Sequence, residues 1–105
     1  MLVVAVDFDG VLSEIKIQHL VKKFRLSGVQ VWVVTARSEN KYNIELIEKV
    51  ICNLGISSHQ VIYCNEKPKF ELIEALNADI YIDNINKEFL NINTTKTVPL
   101  LYSGF

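Results

Sequence analysis

The sequence predicts an α/β fold: an open, parallel sheet covered by helices on both faces. Three observations predict it. Short runs are apolar throughout and rich in valine, as in LVVAV at 2–6 and VWVV at 31–34. Such runs suit strands buried on both faces of a parallel sheet rather than half-exposed, alternating strands. Segments with apolar residues at spacings of three and four separate them. The strand-like runs also end repeatedly in a polar or acidic residue. Regular alternation of strand and helix gives a parallel sheet with right-handed crossovers.

Residues 2–7 read as the first strand, ending in acid. Residues 14–27 place Ile17, Leu20, Val21 and Phe24 on one side of an amphipathic helix, ended by Gly28. Residues 29–34 read as a second buried strand. Residues 40–54 carry Ile44, Ile47, Val50, Ile51 and Leu54 at helical spacing before Gly55. Residues 60–64 read as a third strand, and Pro68 is expected to open a helix reaching Ala75, since proline suits the first helical position. Residues 79–82 read as a fourth strand ending at Asp83, and 97–102 as a fifth. Pro99 assigns the fifth to the sheet edge, because a central strand needs its N–H. Asn84, Asn86, Asn91 and Asn93 mark a loop before it.

The chain has 105 residues, the length of one domain, and residues 1–105 are read as a single domain with its own core. Eleven basic and twelve acidic residues leave a net charge of −1, so no basic field is present to neutralise a nucleic-acid backbone. There is no polybasic, membrane-seeking segment and no apolar run near the roughly 20 residues of a bilayer span. The first ten residues lack the basic start of a secretory signal. Cys52 and Cys64 fit no metal-binding spacing and read as reduced thiols, so a cytoplasmic location is expected. His19, on a helix with Lys16, Lys22 and Lys23, reads as surface, and His59 as part of a turn. Trp32, Phe24, Tyr63 and Tyr81 read as packing residues.

Ligands of such sheets bind beyond the carboxyl ends of the strands. The first strand delivers Asp7, Phe8, Asp9 and Gly10 there, and the second Thr35, Ala36, Arg37 and Ser38. The third delivers Asn65, Glu66 and Lys67, followed by Pro68 and Lys69, and the fourth Asp83 and Asn84. On an extended backbone Asp7 and Asp9 point the same way, with Phe8 turned into the core. Both are expected to be partly desolvated, and two like charges this close need a cation to stay ionised. Oxygen-only ligands favour a hard ion, which makes Mg²⁺ the expected cofactor, with Asp83 completing its shell beside Asp7 and Asp9. Thr35 and the backbone N–H groups after it can hold a phosphoryl oxygen, and Arg37 can bind an anion bidentately. Lys69 in a first helical turn opposes the helix dipole, which invites a functional account such as facing bound phosphate. Lys67 rivals it for that role.

DFDGVL at 7–12 resembles the first motif of the haloacid dehalogenase superfamily of phosphatases. VVTAR at 33–37 looks like its second, and KFELIEALNADIYIDN at 69–84 like its third and fourth. The resemblance runs in order through residues 2–84. It implies a Rossmann-like core of that superfamily's type and a Mg²⁺-dependent phosphoester hydrolase. By it, Asp7 is the nucleophile that becomes an aspartyl-phosphate, and Asp9 the acid and base. Thr35 and Lys69 then neutralise phosphoryl oxygens, and Mg²⁺ binds Asp7, Asp83 and the Asp9 carbonyl. Arg37, Lys67 and Asn84 are further substrate contacts.

Two features depart from the pattern. Asp83 is followed by Asn84 rather than a second acid, with Lys87 and Glu88 further on, so Asn84 or Glu88 is left to fill that place. The intervals between motifs hold only single helices and strands, with no room for a cap domain. The expected partner is a phosphorylated substrate, either a small molecule or a macromolecule, and oligomeric state is left open. A catalytically inactive binding or assembly module on the same core is the alternative. A phospho-receiver domain fits poorly, because its acids would be an adjacent pair after the first strand.

Overall fold

The computed structural model describes residues 1–85 and 96–104. Its strands are β1 (Val3–Val6), β2 (Gln30–Thr35), β3 (Val61–Tyr63), β4 (Ile80–Asp83) and β5 (Val98–Leu101), and its α-helices are α1 (Ile15–Leu26), α2 (Lys41–Ile51) and α3 (Phe70–Ala75). The strands form one parallel sheet in the order β3-β2-β1-β4-β5. This is an α/β, Rossmann-like three-layer arrangement, as the sequence predicts.

Strand parity sorts the core. Val4 and Val6 of β1, Val31 and Val33 of β2 and Ile82 of β4 face one way and pack with Ile17 and Val21 of α1 and Ile47 and Ile51 of α2. Ala5, Val34 and Tyr81 face the other way and pack with Ile73 of α3 and Ala78. Two helices therefore cover one face and α3 the opposite one. Because both faces are covered, the central strands are apolar along their middles, with polar residues at their ends such as Gln30, Thr35 and Asp83. β5 is an edge strand, with Pro99 in register with Tyr81, and all four of its residues are exposed.

Helix ends follow their local chemistry. Asn40 caps α2 by accepting from the Asn43 N–H. At the end of α1, Gly28 adopts φ 84°. There the Val29 N–H reaches the Phe24 carbonyl and the Gly28 N–H the Arg25 carbonyl, a left-handed closure that suits glycine.

Two expectations need correction. The second helix ends at Ile51, and Cys52–Leu54 continue as a tighter 3₁₀ turn. The third helix does not open at Pro68. It begins at Phe70, with Lys69 as its N-cap, and the first helical bonds run from the Leu72 and Ile73 N–H groups to the Lys69 carbonyl. The segment before it folds back on the end of β2, where the Glu66 N–H donates to the Ala36 carbonyl at 2.7 Å. That tie delays the helix past the proline. The loop marked by Asn86, Asn91 and Asn93, with Lys87 and Glu88, lies outside the described residues. No disulfide joins the two cysteines; Cys52 is exposed and Cys64 buried. Among the described residues no helix is long and apolar enough to cross a membrane.

Candidate active site

The strand order reverses between β1 and β4, and in such sheets ligands bind beyond the strand ends at this switch point. Asp7 and Asp83 flank it. The β1–β4 register ends in the pair Val6↔Ile82, and the Asp7 N–H extends the ladder by donating to the Ile82 carbonyl at 2.9 Å. Parity turns both acids away from α1 and α2, toward the face covered by α3. Both are buried, Asp83 completely.

Lys69, at the start of α3, meets them there. Its ammonium donates to Asp7 Oδ1 at 2.6 Å and to Asp83 Oδ2 at 3.2 Å, and the lysine is itself buried. Asp83 takes two further donors: the Tyr81 hydroxyl on Oδ2 and the Asn84 backbone N–H on Oδ1, the latter at 2.6 Å. Burial pushes the Asp7 carboxyl up from 3.8 to about 6. The Lys69 charge and hydrogen bond pull against that rise, while the Asp83 and Asp9 charges add to it. Burial alone would lower the pKa of Lys69. The charge and hydrogen bond of Asp7, then those of Asp83, outweigh it, and the net shift is upward.

The extended course ends at Asp7 (φ −68°, ψ 152°); the turn Phe8–Leu12 follows, and inside it Asp9 (φ −68°, ψ 120°) and Gly10 (φ 73°) depart from helical geometry. Phe8, at the start of that turn, is buried in the core. The two acids do not share one environment, however. Asp7 is buried, whereas the Asp9 side chain is 52% exposed. The partial desolvation expected of both acids thus falls far more heavily on Asp7 than on Asp9.

Arg37, after β2, grips Asp9. Its Nε lies 3.2 Å from Oδ1 and 3.0 Å from Oδ2, and its Nη2 lies 2.8 Å from Oδ1. The hydrogen bond to Asp9 raises the guanidinium's already high pKa. Arg37 Nη1 donates to Asn43 Oδ1 at 2.7 Å. Thr35 is buried at the end of β2, and its hydroxyl oxygen accepts the Arg37 backbone N–H at 3.2 Å. Lys67 is exposed. Asn84 is also exposed and lies over Gly10, where an added Cβ would come within 2.5 Å of Asn84 Nδ2.

The structure thus gathers Asp7, Asp83 and Lys69 at one point, with Asp9 and Arg37 on the adjoining turns and Thr35 at the end of β2. Sequence reasoning missed Tyr81 and Asn43. Tyr81 stands two positions before Asp83 on the same strand, so strand parity alone puts it on the acid's face. Nothing in the sequence pattern singles out Asn43. Two surface hollows, the larger about 380 Å³, run along α2 and are lined by residues such as Glu48 and Cys52 rather than by this cluster.

Among the described residues no three His, Cys, Asp or Glu side chains converge as a metal-binding group. The donor chemistry nonetheless suits a hard cation at the two-carboxylate point. Asp7 and Asp83 offer only oxygens, and one ammonium already lies within ion-pair distance of both.

No protein-family model matches the chain, and no curated protein matches it in sequence. One solved structure with a similar course is the crystal structure of hypothetical protein PH1952 from Pyrococcus horikoshii OT3. The match covers 94% of this chain and 41% of that one, at 20% identity and a TM-score of 0.48. This chain therefore spans less than half the length of that protein.

Proposed function

We propose that the chain is a phosphoester hydrolase of the haloacid dehalogenase type, working through an aspartyl-phosphate. The observation that carries this reading is the buried Asp7–Lys69–Asp83 cluster at the switch point of the sheet. It is reinforced by the motif order noted in the sequence. A buried ion cluster is a poor means of stabilising a fold, since desolvation offsets much of its attraction. A buried carboxyl with a raised pKa beside a second acid and a lysine is instead common at catalytic sites.

In this reading Asp7 attacks phosphorus. The bond to the leaving oxygen breaks, and Asp9 supplies that oxygen with a proton. Water then loses a proton to Asp9 and its oxygen bonds to phosphorus, which releases phosphate and restores Asp7. Each step places a carboxylate where the chemistry demands a nucleophile or a proton carrier. Lys69 neutralises charge beside the attacking group, and Thr35 lines the same edge. Asp7, Asp83 and the Asp9 carbonyl would hold Mg²⁺, which when bound supplies further charge neutralisation for anion meeting anion. The substrate is a phosphomonoester.

The test is release of p-nitrophenol from p-nitrophenyl phosphate with Mg²⁺, followed by a panel of phosphoesters. Turnover by the wild-type protein and its loss in Asp7→Asn is the expected result. Full activity in Asp7→Asn, or activity indifferent to a chelator, would remove the assignment. A folded protein that turns over no phosphoester would favour a binding or assembly module instead.

A further inference from the structure

Asp9 is open to solvent, yet its carboxylate is held by three close N–O approaches from one guanidinium. That guanidinium is fixed in turn. Arg37 Nη1 is bonded to Asn43 Oδ1, Asn43 Nδ2 donates to the Ser38 carbonyl at 2.9 Å, and the Asn43 N–H donates to Asn40 Oδ1 at 2.9 Å. The guanidinium carbon also lies 6.0 Å from the centre of the Phe8 ring. Asn43 is almost fully buried in the first turn of α2, so the far end of this chain of contacts is rigid. An exposed ion pair contributes at most about 1 kcal/mol to stability. Folding alone gives little reason to brace one with a buried amide.

We propose that Arg37 and Asn43 are positioning residues for Asp9, holding its carboxylate in the orientation from which it takes the proton of the attacking water. The inference rests on the hydrolase reading and deepens it. Three of the five guanidinium N–H donors are already directed at Asp9 and Asn43, so Arg37 acts through Asp9 rather than as a clamp on substrate. The step it serves is the second one. The water O–H bond breaks with its proton going to Asp9, the water oxygen bonds to phosphorus, and the phosphorus–Asp7 oxygen bond breaks.

The leaving group of p-nitrophenyl phosphate departs without needing a proton, so the first step survives poor placement of Asp9 and the second does not. Rapid mixing of Arg37→Ala with this substrate and Mg²⁺ should therefore give a burst approaching one p-nitrophenol per protein. A steady rate about 10- to 100-fold below wild type should follow, at or below the roughly 10²- to 10⁴-fold full contribution of a general acid–base group, since Asp9 itself remains. KM should stay level or fall. Asn43→Ala should show the same burst with a smaller loss. Arg37→Lys, which keeps the charge but not the fork, should behave like Arg37→Ala, and it serves as the test if the alanine variant does not fold. A raised KM with kcat retained would make Arg37 a substrate ligand and overturn the proposal. So would a slowed variant without a burst, while wild-type turnover would leave the hydrolase reading standing. A wild-type protein that releases no p-nitrophenol overturns the hydrolase reading and this role together.

Discussion

The ammonium of Lys69 lies 2.6 Å from Asp7 Oδ1, although the two residues stand 62 positions apart in the chain. The contact ties the start of α3 to the end of β1. The same nitrogen reaches Asp83 on β4, so one buried cation joins three elements. Removing it leaves two buried carboxylates without their shared partner. Lys69→Met is therefore expected to destabilise the protein by about 3–5 kcal/mol. Exposed Lys67→Met should stay within about 0.5 kcal/mol of wild type. Urea denaturation of both variants checks this, and the opposite ranking would exchange their roles.

The raised pKa of Asp7 gives stability a pH dependence of definite sign. Its folded value of about 6 exceeds the unfolded 3.8, so the folded state holds the proton more tightly. The contribution of this carboxyl is complete below about pH 3.8 and is lost as pH climbs through 6. The loss amounts to about 2–3 kcal/mol at one pKa unit per 1.36 kcal/mol. Asn at this position does not titrate. The stability of wild type minus that of Asp7→Asn should therefore fall between pH 4 and 6 and level off above. A flat or rising difference curve would contradict the burial of Asp7.

Tyr81→Phe keeps the ring in the core and removes only the hydroxyl that donates to Asp83. Stability should fall by about 1–3 kcal/mol, the cost of leaving a buried acceptor short of a donor. Thermal or urea unfolding measures it, and a neutral result would make Tyr81 a packing residue alone.

Gly10 combines a φ of 73° with a Cβ position 2.5 Å from Asn84 Nδ2. Gly10→Ala should cost about 1–2 kcal/mol from the left-handed backbone. The Asn84 amide, a flexible end, should swing aside. Denaturation and the shift of the Asn84 side-chain amide signals in NMR test the two parts separately.

Much of the architecture was legible before any coordinates. The uniform apolarity of 31–34 betrays a strand covered on both faces, and Val33 and Val34 indeed pack on opposite sides of the sheet. Pro99 foretold the edge strand because a missing N–H is tolerated only there. The start of α3 was misread because proline marks a boundary without saying on which side of it the first helical bond forms. The backbone tie from Glu66 to Ala36, a contact between distant segments, decided that.

Which residues reach the carboxyl edge follows from strand parity and the order of elements, both local properties of the chain. How they divide there depends on packing between distant segments. Asp7 went inward to share Lys69 with Asp83, Asp9 outward to Arg37, Tyr81 joined as a donor to Asp83 and Asn43 as an acceptor from Arg37. Burial and hydrogen-bond partnership depend on segments far apart in the chain, and no local pattern of residues encodes them.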